Sequence, residues 1–245
     1  MNLLRPGLVG TTFCAVLALA GCSQSGDQAQ APQQAQAPAD DSAQKLDTYR
    51  QLVRIGNDEM AVTMGKEIVG RYPNSDAAKE VQQSLPGIEQ RYKENSEKNR
   101  LAGLWLYQVS PMQGGTQSTA TIANSQASPD EKVNLILRRH TDWGQNVFLY
   151  NTGGRHGFVC KGVCSIKATF DGKPGSIPAF APTTGEPALL FKDDKGFIAQ
   201  LEKAKKITMD VTLQDGEKKV TLVFETGGFD PSKWQAVSKS SAKKK

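Results

Sequence analysis

The stretch from residue 207 to residue 225 reads ITMDVTLQDGEKKVTLVFE. Apolar and polar residues alternate in its two arms, Ile207 to Leu213 and Lys219 to Glu225, which is the pattern of half-buried strands. The dipeptide Asp215-Gly216 lies between the arms and strongly favours a tight β-turn. The stretch therefore predicts an antiparallel hairpin and makes β-structure the expected class for the chain around it.

Short runs of the same kind continue back to residue 104, and turn signals rich in Gly and Asp separate them. Phe197, Ile198 and Leu201 lie at helical spacing and predict one short helix over Lys195 to Lys205. Strands of this length and spacing predict a β-sandwich over residues 101–231. The strands predicted before the hairpin are Leu104 to Val109, Thr116 to Ala123, Lys132 to Arg139, Asn146 to Asn151, Phe158 to Cys160, Cys164 to Phe170 and Ala188 to Phe191.

Residues 44–100 have helical periodicity instead. One apolar stripe runs from Leu46 to Val69 and a second from Val81 to Tyr92, with Pro73 and capping residues between them. The predicted fold class is therefore α+β, with an N-terminal helical hairpin followed by a mainly antiparallel β-sandwich that contains one short helix. The turn GRYPNSDAA, residues 70–78, resembles the inter-helix turn of tetratricopeptide-like envelope lipoproteins. The likeness covers barely one repeat, so we expect a single hairpin and not an array.

The N-terminus has the pattern of an export signal. Arg5 precedes an apolar segment from Leu8 to Ala20, which is too short to span a bilayer permanently. The ending LAGC, residues 19–22, resembles the lipobox of bacterial lipoproteins. That resemblance implies cleavage before Cys22, lipidation of Cys22 and attachment to a membrane through the lipid. Ser23, in place of Asp, implies sorting to the outer membrane, facing the periplasm. The alternatives are a plain secretory signal and a buried N-terminal helix.

Composition separates two further segments from the folded part. Residues 22–43 are rich in Gln, Ala and Pro and predict a disordered tether, and residues 232–245 predict a disordered basic tail. The tail is interpreted as a solubilising end or as a contact with acidic polymers or anionic headgroups. The formal charge of +5 is accounted for by Arg5 and the four lysines of residues 239–245. The remaining body is neutral, which argues against a nucleic-acid-binding protein.

The four cysteines divide into two uses. Cys14 leaves with the signal and Cys22 is the predicted lipid site, so Cys160 and Cys164 remain as a predicted disulfide in the oxidising periplasm. Gly162 would sit in a three-residue turn between two β-like runs and bring the pair together.

Two other interpretations of the cysteine segment remain open. On a helix, His156 would share a face with Cys160 and Cys164 and the three could bind a metal. The pair could also be redox-active, although Cys-x-x-Cys at a helix start is more typical. The glycines and β-branched residues of the segment disfavour a helix, and the disulfide is preferred.

No other motif indicates catalysis, and no cofactor or metal is predicted. His140 lies beside Arg138, Arg139 and Asp142 at a strand end, where a solvated turn is expected. The carboxylates of residues 193–194 are interpreted as a charged turn, because they lack the ligand spacing of a calcium loop.

The region from about residue 103 to 230 resembles a broad and largely uncharacterised bacterial family of small envelope β-domains. The matching elements are Trp105-Leu106-Tyr107, Cys160 to Cys164 with Phe170-Asp171-Gly172, Leu190-Phe191, Phe197 to Leu201 with Ala204-Lys205-Lys206, and Gly228-Phe229. They are core and turn residues, so the resemblance implies a fold and not an activity. The same elements give a more distant likeness to accessory lipoproteins of type VI secretion.

The predicted function is a non-enzymatic outer-membrane lipoprotein that binds a protein or an envelope polymer in the periplasm and does not bind nucleic acid. One alternative is an immunity or secretion-system accessory lipoprotein. The other is an enzyme that acts on envelope polymers, which would need a deep pocket near His140 or His156 with a carboxylate within reach.

Overall fold

The computed structural model of the chain describes residues 41–126, 132–153 and 156–238. Within these ranges the chain has an N-terminal helical region followed by an antiparallel sheet, which confirms the predicted α+β class. None of the helices in these ranges is long and apolar enough to cross a membrane. The helices are α1 Ser42–Arg54, α2 Asp58–Arg71, α3 Asp76–Gly103 and α4 Asp194–Leu201. The strands are β1 Trp105–Met112, β2 Gly115–Ala123, β3 Val133–His140, β4 Gly144–Asn151, β5 Val163–Phe170, β6 Lys173–Phe180, β7 Ala188–Phe191, β8 Ile207–Thr212 and β9 Lys219–Phe224.

The prediction of a hairpin of two N-terminal helices was wrong, because the first apolar stripe is divided between α1 and α2. Gly56 has a φ of +72°, a left-handed conformation that glycine adopts without a Cβ clash, and α1 ends just before it. The side chain of Asn57 then accepts a hydrogen bond from the backbone N–H of Met60 at 3.2 Å, which caps α2. Helix α1 also begins at Ser42, inside the range predicted as tether.

The turn between α2 and α3 is the one that the sequence predicts. Pro73 follows the end of α2, and the Ser75 hydroxyl accepts a hydrogen bond from the backbone N–H of Ala78 at 3.1 Å. At Gly65 of α2, an added Cβ would lie 2.9 Å from Cδ1 of Leu85, so the two helices approach closely there. Buried side chains from all three helices form one core, and the main ones are Leu46, Tyr49, Leu52, Ala61, Ile68, Ala78, Val81, Leu85 and Ile88.

Helix α3 continues past this core and leads directly into the sheet. Residues 93–100 of α3 are all exposed. The helix next contacts the turn Thr226–Gly228, where an added Cβ on Gly228 would lie only 2.2 Å from the carbonyl carbon of Leu101. The Arg100 guanidinium also donates to the Glu225 carboxylate at 2.7 Å. The end of α3 is therefore packed against the sheet domain.

The nine strands form one antiparallel sheet in the order β1-β2-β3-β4-β7-β6-β5-β8-β9. Inner-face side chains from both halves of this order contribute to a single core, as in a sandwich. The predicted hairpin joins β8 and β9, with Ile207 paired to Phe224. Strand β7 has the predicted bounds. The largest fully buried side chains of this core are Trp234, Phe158, Phe224, Ile122, Leu135, Leu137, Leu149, Leu189, Leu201, Ile207 and Met209.

Strand β6 was missed by the sequence analysis because it contains Pro174, Gly175 and Pro178. The turn at residues 171–172 pairs Phe170 with Lys173, so the two prolines fall at positions that do not hydrogen-bond to β5. Their missing N–H groups point to the other edge, where β7 pairs only with Ala179 and Phe180 of β6. Proline is tolerated in a strand where no ladder hydrogen bond is lost.

The C-terminal boundary also differs from the prediction. Trp234 lies in the range predicted as a disordered tail, but its side chain is buried in the sheet core. Its indole N–H donates to the carbonyl of Ser118 at 3.1 Å, and the Arg139 guanidinium lies 3.6 Å from the centre of its ring. The folded domain therefore extends at least to Trp234.

Candidate functional site

The predicted lipid site lies outside the described residues. Cys22, the signal and most of the tether precede residue 41, and the basic end of the tail follows residue 238. The lipidation of Cys22 therefore stays a prediction from the sequence.

Cys160 and Cys164 are joined by a disulfide, with their Cα atoms 5.5 Å apart. Gly162 between them has a φ of +61°, as the predicted turn requires. The expected hairpin around the turn is absent from the described residues, however, because Cys164 pairs with Ala179 of β6. Phe158 makes only an isolated bridge, to Leu213. The disulfide thus ties the start of β5 to the preceding loop. Because the two sulfur atoms are bonded to each other, the alternative of a metal site at this pair does not hold.

His140 is not in a solvated turn, and this prediction was wrong. The side chain is only 3 % exposed. Its Nδ1 accepts the backbone N–H of Asp142 at 3.1 Å, so the ring proton is on Nε2, which donates to the carbonyl of Met112 at 2.9 Å. Gly115 leaves room for the ring, because an added Cβ there would lie 2.8 Å from Cε1 of His140. Nδ1 therefore holds the β3–β4 turn, and Nε2 ties it to the end of β1.

His156 has the opposite environment. Its side chain is 64 % exposed, and Nδ1 is paired with the carboxylate of Asp215. The alternative that the protein is an enzyme requires a deep pocket that holds a histidine and a carboxylate within reach of it. The pair at His156 supplies the carboxylate, but it lies at the surface.

The carboxylates of residues 193–194 have structural partners. Asp193 accepts the backbone N–H of Gly196 at 2.9 Å and caps α4. Asp194 accepts the side-chain amide of Gln145 at 2.8 Å. Across the described parts of the chain, no three His, Cys, Asp or Glu side chains are grouped in a way that could hold a metal ion.

The most distinctive surface is the outer face of β1–β4 and β7, on the side of the sheet opposite the core. We call it the outer face. Because side chains alternate along a strand, its members follow from the register of the strands, and most of them are half-buried. They are Leu106, Gln108, Met112, Gln117, Thr119, Thr121, Ile136, Arg138, Phe148, Tyr150 and Leu190.

Arg138 lies at the centre of the outer face. Its guanidinium carbon is 5.0 Å from the ring centre of Trp143 and 5.0 Å from that of Phe148. Both distances are within the range of a cation–π contact. Trp143 comes from the β3–β4 turn and stacks on His140, so the buried histidine positions the indole. The two rings fix the guanidinium on the sheet.

The guanidinium has few hydrogen-bond partners. One N–H donates to the side-chain oxygen of Asn146 at 3.0 Å, whereas the buried Nε–H of Arg138 has no acceptor among the described residues. In the same ranges no carboxylate lies within ion-pair distance of Arg138, and burial lowers the pKa of Arg138 from its ordinary value. A guanidinium has five donors and no acceptor, so most of the donors of Arg138 have no acceptor within the described part of the protein.

Two cavities adjoin Arg138 on the outer face. The smaller, of about 180 Å³, lies toward β7, and the larger, of about 780 Å³, extends toward β1. Arg138, Phe148, Tyr150 and Glu186 line both of them. Thr184 donates a hydrogen bond to the Glu186 carboxylate and holds the pKa of Glu186 below its usual range. The cavities therefore form an open groove with a fixed cation, an ionised carboxylate and aromatic walls.

This groove was not predicted from the sequence. Arg138 was noted only as a neighbour of His140, although the alternation of NLILRRH, residues 134–140, places Arg138 opposite the apolar Leu135 and Leu137. The signal that could have found it is an arginine in the middle of a strand followed by an aromatic turn residue. The register that brings β7 and the Glu186 loop beside it is a long-range property and has no local signal.

Comparisons with known proteins give little further information. No protein-family model matches the chain, and no curated protein matches it in sequence. Among solved structures, the crystal structure of invasion associated protein b from Bartonella henselae is similar with 16 % sequence identity and a TM-score of 0.34. The match covers 53 % of this chain and 87 % of that chain. A likeness of this size supports no statement about activity.

Proposed function

We propose that the protein is a non-enzymatic lipoprotein of the outer membrane that faces the periplasm and binds an envelope protein or polymer through the outer face. The location rests on LAGC, residues 19–22, and on Ser23. The binding role rests on the difference between the two halves of one sheet, which is the observation that carries the proposal.

In the half of the sheet formed by β5, β6, β8 and β9, polar side chains of the outward surface hydrogen-bond to one another. Ser165 and Ser176 share a hydrogen bond of 2.5 Å, and Thr169 and Thr208 share one of 2.8 Å. Thr221 donates to Asp210 at 2.7 Å. This surface is polar and is what a solvated sheet face normally presents. We call it the polar half.

The outer face has hydrogen-bonded polar side chains as well, such as Gln117 with Ser110, but it differs by the apolar and aromatic side chains among them. Leu106 is 55 % exposed and Trp143 is 41 % exposed, and Phe148 and Tyr150 line the groove between the two cavities. A groove with apolar and aromatic walls and a few fixed polar groups is the usual form of a binding site. Both surfaces belong to one sheet. Exposure to solvent alone would therefore not explain why the outer face is apolar and the polar half is not.

The groove is more consistent with binding than with catalysis. The nearest histidine, His140, uses both ring nitrogens in backbone hydrogen bonds. The exposed pair of His156 and Asp215 is not part of the groove lining. A general acid or base has to reach the reacting group, and neither histidine is placed to do so in the groove.

Site-specific photocrosslinking of the full lipidated chain in outer membranes tests the proposal. A photoreactive residue at Thr121 of the outer face should give a defined adduct, and one at Lys167 of the polar half serves as the matched control. Tyr150→Ala should reduce the Thr121 adduct, because it removes part of the groove wall. Equal adducts from both positions, or an adduct that is insensitive to Tyr150→Ala, would contradict a binding role for the outer face.

A further inference from the structure

We propose that Arg138 binds a carboxylate carried on a small apolar group of the ligand. This inference deepens the proposed function and rests on it, since the carboxylate belongs to the partner that occupies the outer face. It concerns the smaller cavity, whose walls include Phe148, Pro182 and Leu190.

The first reason is the geometry of the guanidinium. Its contacts with Trp143 and Phe148 fix the position of Arg138, and the hydrogen bond to Asn146 fixes its rotation. A planar guanidinium presents pairs of N–H groups that match the two oxygens of a carboxylate. Arg138 is therefore preorganised for a bidentate contact, with little side-chain freedom left to lose on binding.

The second reason is the unpaired charge. The Nε–H of Arg138 is buried without an acceptor among the described residues, and the guanidinium is partly removed from solvent. A buried donor without a partner is unfavourable for folding, and a partly buried cation without an anion is more so. An anionic ligand group in the cavity supplies a countercharge to the accessible part of the guanidinium.

Glu186 decides which kind of anion fits. It lines the same two cavities as Arg138, and the low pKa caused by Thr184 keeps it ionised. Its charge opposes any anion, and it opposes a phosphate with two charges more strongly than a carboxylate with one. Because the opposite charges of Arg138 and Glu186 largely cancel, the second charge of a phosphate gains little attraction and costs more to desolvate, so the pair favours a single-charged, planar group.

The walls of the smaller cavity decide what carries the carboxylate. Phe148, Ala188, Leu190 and Pro182 are apolar, and the volume is about 180 Å³. This space suits a short branched or cyclic hydrocarbon group next to the charge. A chain terminus of the partner that ends in a small apolar residue has this chemistry.

The experiment is a titration of the full lipidated chain in detergent micelles with three small probes. These are 3-methylbutanoate, its neutral amide 3-methylbutanamide, and isobutyl phosphate. The reporters are the Arg138 Nε–H and Trp143 indole N–H signals in the NMR spectrum of the ¹⁵N-labelled protein. We expect saturable shifts with 3-methylbutanoate, weaker ones with the phosphate and none with the amide.

Variants identify the group that binds. Arg138→Gln and Arg138→Lys should each weaken 3-methylbutanoate binding by about tenfold or more, since a charged hydrogen-bonded pair or its fork geometry is lost. Glu186→Gln should tighten it by about threefold, because an opposing charge is removed. Arg54→Gln, which removes an exposed charge from α1, is the matched control and should leave binding unchanged.

Three outcomes overturn the inference: equal shifts with acid and amide, unchanged binding in Arg138→Gln, or preference for the phosphate. If the thermal unfolding curve shows that Arg138→Gln does not fold, two other results test the inference. These are the acid–amide comparison on the natural sequence and the effect of Glu186→Gln. A peptide with a free C-terminal valine and its amidated form then distinguish a chain terminus from a free acid as the source. If the carboxylate inference fails while the Thr121 adduct still depends on Tyr150, the proposed function stands without it.

Discussion

The indole of Trp143 stacks on the imidazole of His140, with ring centres 3.8 Å apart and planes inclined by 13°. His140 is paired with Gln117 and therefore lies on the outer face, where its ring is buried against the partly exposed Trp143. Trp143, one of the two rings that contact Arg138, is thus held in place by a buried residue of β3.

His140→Ala should destabilise the protein and release Trp143. The substitution removes the hydrogen bonds to the backbone of Met112 and Asp142 and the buried ring that packs against Trp143, which costs about 2 to 3 kcal/mol. Urea unfolding followed by circular dichroism measures the free energy, and tryptophan fluorescence reports the environment of Trp143. His156→Ala, at an exposed position, is the comparison and should change stability little. Equal loss of stability in the two variants would contradict a structural role for His140.

Gly228→Ala should destabilise the joint between α3 and the sheet. The added Cβ would lie 2.2 Å from the backbone of Leu101, so the helix end has to move and a loss of about 2 kcal/mol or more is expected. Gly87→Ala is a matched control inside α3, where an added Cβ meets nothing within 4 Å. It should stabilise by up to about 1 kcal/mol through helix propensity. Thermal unfolding of both variants should show shifts of opposite sign.

Removal of the Cys160–Cys164 disulfide should have a modest effect. Because the bridge closes a very short loop, the chain-entropy relation gives a loss of about 2 kcal/mol in the double variant Cys160→Ala with Cys164→Ala. Denaturant unfolding with and without a reductant provides the measurement. The natural chain should lose stability on reduction, and the double variant should not respond. A response of the double variant to the reductant would show that another part of the chain is being changed.

Asp58 should make the helical region sensitive to acid. Its carboxylate is buried and paired with Arg91, and this hydrogen-bonded pair holds the pKa of Asp58 below its usual value. A carboxyl with a lowered folded-state pKa stabilises the fold above its unfolded pKa of about 3.9 and loses that stabilisation as pH falls. The natural chain should therefore unfold at a higher temperature than Asp58→Asn at pH 7, and the difference should shrink toward pH 2. A constant difference across this range would contradict the ion pair.

Cys22→Ala should abolish membrane retention, because the predicted lipid is the attachment. Fractionation and mass determination of the mature chain distinguish a soluble product or an uncleaved precursor from the acylated protein. Ser23→Asp should keep the lipid and shift the protein toward the inner membrane, as the resemblance to bacterial lipoproteins implies. Retention of Cys22→Ala in the outer membrane would contradict the predicted anchor.

The sequence predicts correctly those elements that depend on residues close together in the chain. The hairpin of β8 and β9 follows from alternation around Asp215-Gly216, and Pro73 with Ser75 marks the turn between α2 and α3. Gly56 has the same kind of local signal, but the apolar stripe continues across it and hides the break between α1 and α2. Periodicity alone does not distinguish one long helix from two short ones that share a core.

Long-range pairing explains what the sequence analysis missed. In the sequence, Pro174 and Pro178 argue against a strand. The register with β5 shows that the N–H groups they lack would point away from β5, toward an edge where β6 has no pairing at these positions. His140 looks like a solvated residue beside two arginines until β1 brings the Met112 carbonyl to it. The groove around Arg138 likewise needs the β4–β7 pairing, which brings Leu190 opposite Phe148.

The length of α3 sets the spacing between the helical core and the sheet. Its 28 residues correspond to about 42 Å of helix at 1.5 Å per residue, and the exposed residues 93–99 separate the part packed on α1 and α2 from the part packed on the sheet. Seven residues make about two full turns, so inserting or deleting seven within residues 93–100 would change the spacing between the helical core and the sheet by about 10 Å with nearly the same rotation. Spacing and orientation in this protein can therefore be varied separately.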